Sequence, residues 1–455
     1  MLDIGETGEI FGKLYIVEGA GEFCCPAGVP GGSPVPADVR INGEWGGGMH
    51  VTTGEVIRRI RKSLGMTQSE LGVLLGYTQS VVSQLEHNSG AVHDVRVLRR
   101  IATALRVPLA ILVVESDEEA DVDRRNFLRA GAFGAGAVLA AGGVGRASAS
   151  GSMQIGAADV VEIVAGTNQI HELDLLVGGD RLCRVAANEV RYVEHLLDNA
   201  VYSGEVGSAL TSAAAEMMTA AGWVHYDAGR PVEARRYYAD AAQAATAADD
   251  GIAAAHALGN SSVLLSEWQG GTPAGMRQAV QYAQSASRVA MGCGGPKLRA
   301  LMAIREADAL GMQDPGGNKS AVTDALNRAH RAYESSRGSD PDWVYLPRAM
   351  LNGMTGLMQM YLGEHEAASK QMRVAIDGSA AWPREQAEWR VQLGRNLVAS
   401  GAIAEGCHVL GENFGGIKQV ASTWIQQKLD AVVADVRPHA KVPEVREFLG
   451  LVAAS

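Results

Sequence analysis

Three stretches of the chain space their small residues identically. Gly222, Gly229, Ala234, Tyr238 and Ala241 are followed by Gly356, Gly363, Ala368, Met372 and Ala375, and then by Gly394, Gly401, Gly406, Leu410 and Asn413. The steps are 7, 5, 4 and 3 in each. Small residues at such spacing let paired helices approach closely, and larger ones fill the gap between neighbouring hairpins. The stretches around 252–290 and 297–335 read as degenerate copies joined by Gly/Pro turns. One hairpin cannot bury its apolar face alone, so copies must stack, and the expected class is all-α.

Composition agrees. Aromatic residues are 5% of the 455, and the 47% apolar share is carried by Ala, Val and Leu. That mix favours helices over strands. No uninterrupted run of about 18 strongly apolar residues is present, which excludes a polytopic membrane protein. The five cysteines (Cys24, Cys25, Cys183, Cys293, Cys407) are scattered, odd in number and without metal-ligand spacing. They read as reduced thiols of a cytoplasmic protein.

Length predicts about three units, and texture divides the chain further. Residues 1–50 form a tail, disordered or spurious: 12 Gly and 4 Pro fall within 1–48, too many chain breakers for a helix or a central strand. It is either a flexible arm or not normally translated, since Gly46-Gly47-Gly48 runs directly into Met49. Residues 51–114 switch to short helices, with Ile57, Ile60, Leu64, Leu71, Leu74 and Leu75 at helical spacing and breaks at Gly65 and Gly76. This segment holds eight Lys/Arg against four Asp/Glu, hence +4; with a chain total of −11 the remainder is −15. Residues 115–152 form a linker. It is acidic from Glu115 to Asp123, then Gly/Ala-rich behind Arg124-Arg125-Asn126-Phe127-Leu128-Arg129, which looks like a twin-arginine export signal placed behind a complete domain. Residues 153–455 hold the repeats.

The sharpest local signal runs from Gly65 to Asn88. Thr67 can cap one helix, with Glu70 three residues on completing a capping box. Gly76 supplies the turn and Thr78 can cap the next helix, so the two short helices form a helix-turn-helix. Segment and spacing resemble the XRE-type (Cro/phage-repressor-like) DNA-binding domain, a small five-helix unit. On that resemblance the helix from Gln79 enters the major groove. With Val82 and Leu85 turned inward, Gln79, Ser80, Ser83 and Gln84 are candidates for base readout. Gln68, Thr78, Asn88, Arg58 and Lys62 are candidates for the DNA backbone. The resemblance further implies a structural ion pair between Arg61 and Glu86.

Catalysis finds no support. The 11 His are dispersed, and neither a His-Glu-x-x-His pair nor a nucleophile elbow occurs. Gly292-Cys293-Gly294-Gly295-Pro296-Lys297 superficially suggests a phosphate loop, but Pro296 and the missing Ser/Thr make it a helix-hairpin turn. No catalytic residue, metal site or cofactor is expected.

The regular copies resemble tetratricopeptide repeats, which implies an α-solenoid with a concave groove. In that frame Trp223, Tyr226, Leu357, Met360, Glu388 and Arg395, with Glu216, Thr219 and Met350, face the groove. The combination resembles XRE-type regulators of the actinobacterial kind. It implies a sequence-specific transcriptional regulator, dimeric, on a double-stranded DNA operator, with a peptide, a small molecule or a partner protein in the groove. No stable membrane association is expected. The other reading is a repeat-based adaptor or membrane-tethered sensor whose DNA-binding domain is secondary.

Overall fold

The computed structural model describes residues 52–89, 92, 94–112, 153–268, 272–335 and 338–455. The expectations for the tail at 1–50 and for the linker with its twin-arginine-like motif lie outside the described residues. Among the described residues the fold is all-α, with one isolated β-bridge between Gln154 and Val201.

Five short helices come first: α1 (Thr53–Ser63), α2 (Gln68–Leu75), α3 (Gln79–Glu86), α4 (Val95–Leu105) and α5 (Leu109–Leu112). Val56, Ile57, Ile60, Leu71, Leu75, Val82, Leu85 and Ile101 form their core. Gly54 permits α1 to sit directly on the end of α3, since a Cβ there would lie 2.4 Å from the Leu85 carbonyl oxygen.

Next among the described residues come α6 (Ala157–Val177) and α7 (Cys183–Asn199), and then five helix hairpins: α8 (Gly204–Asp227) with α9 (Pro231–Ala247), α10 (Gly251–Trp268) with α11 (Pro273–Cys293), α12 (Pro296–Gln313) with α13 (Lys319–Tyr333), α14 (Arg348–Tyr361) with α15 (His365–Gly378), and α16 (Pro383–Ala399) with α17 (Ile403–Glu412). Helices α18 (Phe414–Lys418), α19 (Thr423–Val436) and α20 (Pro443–Ala454) finish the chain. The three identically patterned copies do the same work in their hairpins. Gly222, Gly356 and Gly394 lie where the second helix presses on the first, and a Cβ would meet Tyr238 at 2.5 Å, Met372 at 3.0 Å and Leu410 at 2.6 Å. Gly229, Gly363 and Gly401 make the turns with φ of +69°, +73° and +88°, a region that costs other residues about 1–2 kcal/mol. Gly294 and Gly295 simply join α11 to α12.

Two features go beyond an open solenoid. First, its ends meet. The Ala421 amide donates to the Val177 carbonyl (3.0 Å), and the Asp180 amide donates to the Ala421 carbonyl (3.0 Å). Helix α16 packs on α6, and α19 packs on α8. The expected groove is therefore closed into an interior cavity. Second, the five N-terminal helices share an apolar cluster with α6–α8 that includes Val56, Ile60, Leu112, Ile163, Ile170 and Leu173. Polar bonds reinforce this seam. Arg59 donates to the Leu176 carbonyl (3.1 Å), Gln169 to that of Arg106 (2.8 Å), and Arg181 to that of Ile111 (3.3 Å).

Candidate DNA-binding surface and interior cavity

Local chemistry fixes the two helices of the turn. The Thr67 hydroxyl accepts from the Glu70 amide, while the Glu70 carboxylate accepts from the Thr67 amide at 2.7 Å and from its hydroxyl at 2.9 Å. These bonds, the backbone one foremost, hold the Glu70 carboxyl below its ordinary range. Gly76 stops α2 at φ +66°, and Thr78 caps α3 by accepting from the Val81 amide. Val82 and Leu85 then turn inward, which leaves Gln79, Ser80 and Gln84 exposed and Ser83 half-buried.

The outer amides are held in order from inside. Arg61 donates to both carboxylate oxygens of buried Glu86 and also to the Met66 carbonyl. Glu86 Oε2 accepts in turn from Gln68 Nε2 (2.8 Å), and Gln68 Oε1 accepts from Gln79 Nε2. A buried ion pair thus sets the direction of two amides at the surface, at the start of α2 and of α3. Thr78 and Lys62 are exposed, and exposed Arg58 lies 3.4 Å from Glu55. Asn88 is half-buried with φ +57°, and its side-chain oxygen accepts from the Gly54 amide. That bond ties α3 to α1 and leaves the Asn88 amide nitrogen as the group available to a ligand. A helix-turn-helix family model matches residues 57–112. The matched segment covers all of α2–α5 and most of α1, and it supports a DNA-binding regulator rather than an enzyme. Comparison with curated proteins gives no match.

The second feature is a cavity of about 40 Å³ at the centre of the closed hairpins. The first helix of each hairpin and α19 line it. Trp223, Tyr226, Leu357, Glu388 and Met350 are on its wall. Met360 and Arg395 are not: Met360 packs with Met372, Leu393 and Leu397, and Arg395 donates to the side chain of Gln392 (2.6 Å). Thr219 is buried and donates to the Ala215 carbonyl. Glu216 belongs to a neighbouring polar cluster, where its carboxyl meets His256 Nδ1 at 2.9 Å and the His256 ring stacks on Trp343 at 4.8 Å. Burial, and then the Asp250 charge, raises the Glu216 carboxyl well above its usual range. Burial, and then Arg305, pushes His256 down to about 3. Burial thus disfavours the charged form of both partners in this contact.

Spacing alone did not disclose a buried cluster of charges. Arg384 pairs with Asp227 at 2.7 Å and with Glu388 at 2.6 Å, and it also reaches Glu385 at 3.3 Å and Asp174 at 3.9 Å. Its guanidinium lies 5.7 Å from the centre of the Trp223 ring and 5.9 Å from that of Trp424. Asp227 also accepts from the Gly179 amide and the Ser422 hydroxyl, both at 2.8 Å. One carboxylate on α8 thereby holds the start and the finish of the ring. Sequence carried a partial signal in the Trp and charged residues at helical spacing, but their convergence comes from closure.

Proposed function

We propose that the chain is a sequence-specific transcriptional regulator that binds a double-stranded DNA operator as a homodimer in the cytoplasm. Residues 51–114 are its DNA-binding domain, and residues 153–455 form a tetratricopeptide-like sensor for a peptide, a small molecule or a partner protein. The observation that carries this reading is the exposed amino-terminal face of α3 within the segment matched by the helix-turn-helix family. In this reading Gln79, Ser80, Ser83 and Gln84 meet base edges, where a Gln amide can bridge adenine N6 and N7. Gln68, Thr78, Asn88, Arg58 and Lys62 face phosphates.

The link between sensor and DNA runs through the end of α6. Asp174 accepts from Trp223 Nε1 at 3.0 Å on the cavity side, and two residues later the Leu176 carbonyl holds Arg59 of α1. A shift of α6 would therefore move the DNA-binding helices. In a dimer, half-sites lie about 34 Å apart per helical turn, so displacements of a few ångströms matter. The ligand must bind the two arrangements with unequal affinity for this to act as a switch.

The test is genome-wide mapping of bound DNA, followed by affinity measurements on the operator it yields. Gln79→Ala or Gln84→Ala is expected to weaken operator binding by about 1–3 kcal/mol while leaving random DNA unaffected. Arg58→Ala should weaken both and flatten the salt dependence. Equal loss on operator and random DNA for the Gln variants would refute this placement of α3.

A further inference from the structure

Away from the candidate DNA residues, the helix-turn-helix unit carries a second exposed surface. A trough of about 860 Å³ lies between the ends of α1 and α2 and the later half of α4. Leu64 and Leu74 on its wall are 50% and 56% exposed, beside half-buried Met66 and Ala104. Single exposed apolar residues are ordinary, but together these make a patch. Its charge has one sign, since Arg99, Arg100 and Arg106 line it and no acid does. Arg100 is tied to the Leu75 carbonyl and the Tyr77 hydroxyl. Arg99 and Arg106 are exposed and make no ion pair among the described residues. None of the residues proposed above to face base edges or phosphates lines this trough.

The start of α6 and the end of α7 show the opposite pattern. Val161 on α6, Tyr192 on α7, and Met153 and Val201 at the β-bridge between them are exposed. Here the neighbouring charges are acidic. Burial, and then Asp159, Glu162 and Glu189, raise the pKa of the Tyr192 phenol. Glu162 is exposed and makes no ion pair among the described residues, while the basic neighbour Arg191 is turned to Asn188. The two patches are neighbours. Gln169 of α6 donates to the Arg106 carbonyl at 2.8 Å, and Glu162 precedes Gln169 by seven residues. Seven residues are two helical turns, so both lie on one face of α6, about 10 Å apart.

Adjacent patches of opposite charge suit a two-fold axis, across which each meets the other and every contact occurs twice. They do not meet within one chain, because the Gln169 bond and a shared apolar cluster fix α6 against the helix-turn-helix unit. DNA in the trough would set phosphates against Leu64 and Leu74, and a merely acidic partner would leave the α6 patch unused. We propose that a second copy of the chain docks here, with the acidic patch of α6 and α7 from each copy in the basic trough of the other. This rests on the homodimer reading above and names its surface, which uses none of the candidate DNA residues.

The experiment is sedimentation equilibrium of the full chain at micromolar concentration, where twice the 47.8 kDa chain mass is expected. Arg99→Glu and Glu162→Arg each set like charges together at two places in the dimer and should weaken association tenfold or more. Both positions are exposed, so thermal unfolding of the dissociated variants should match that of the diluted native chain. Combining the two changes restores opposite charges and should recover most of the lost association. In the unaltered chain, association should weaken several-fold from about 0.1 to about 0.5 M NaCl as the charges are screened. A monomeric native chain, or a double variant no tighter than the weaker single one, would overturn the proposal. A dimer untouched by either change would also overturn this surface while leaving the homodimer reading in place. An Arg99→Glu chain of unchanged mass that loses affinity for all DNA would assign the trough to phosphates instead. Dissociated variants that still recognise an operator half-site would support the surface and keep its failure distinct from that of sequence recognition.

Discussion

Replacing Arg384 by Met isolates what closes the ring. The substitution keeps a stem of similar length and removes the charge. In the native chain burial opposes the guanidinium charge, but Asp227, Glu388, Asp174 and Glu385 more than offset it and hold its pKa above the usual value. Arg384 and Asp227 have side-chain exposures of 1% and 0%. In the variant Asp227 keeps its bonds from Gly179 and Ser422 but loses its counter-ion. Removing one partner of a buried pair costs about 3–5 kcal/mol, a large share of the 5–15 kcal/mol that stabilises an ordinary domain. Urea unfolding followed by tryptophan fluorescence is the assay, because Trp223 and Trp424 flank the guanidinium. The double variant Arg384→Met, Asp227→Asn removes the orphaned charge, and it should recover at least about 1 kcal/mol relative to the sum of the single changes, within the range of contacting pairs. A cost below about 1 kcal/mol for Arg384→Met, or strict additivity in the double variant, would refute the reasoning.

Stability should also fall as pH rises from about 6.5 to 8. Burial, followed by the nearest acid, raises the carboxyls of Asp174 and Glu385 and takes Asp308 to about 7, so through this window the folded state releases protons that the unfolded state has already lost. His171 and His256, pushed down to about 3 chiefly by burial, act oppositely, but only below their unfolded value near 6.5. Urea midpoints across pH, with and without Asp308→Asn, check this, and a flat or rising profile from 6.5 to 8 would contradict it. In the hairpins, Gly394→Ala places a Cβ 2.6 Å from Leu410 and should cost about 1–3 kcal/mol by overpacking; Leu410→Ala in the same chain should relieve part of that cost, and thermal unfolding of the three variants would expose a failure.

The DNA-binding helices were legible residue by residue because their causes are local. A capping box from Thr67 to Glu70, a left-handed glycine at position 76 and a cap at Thr78 act within a few residues, so order along the chain reveals them. The paired helices of the repeats were legible for the same reason, since Gly222 and Tyr238 are only 16 positions apart and their size complementarity is written in the spacing. The site residues divided along this line. Trp223, Tyr226, Leu357 and Glu388 reach the cavity because they sit on the inner face of first helices, whereas Met360 and Arg395 pack or pair elsewhere. No pattern in the sequence marked Arg384 and Asp227 as partners, because they are 157 residues apart. Their pairing depends on the accumulated curvature of five hairpins, and so does the closure of the groove, while the docking of Arg59 on α6 joins residues 117 positions apart without them. Local hydrogen bonding and steric fit are set by neighbours in the chain. The burial of charge at the centre is set only when the whole ring has closed.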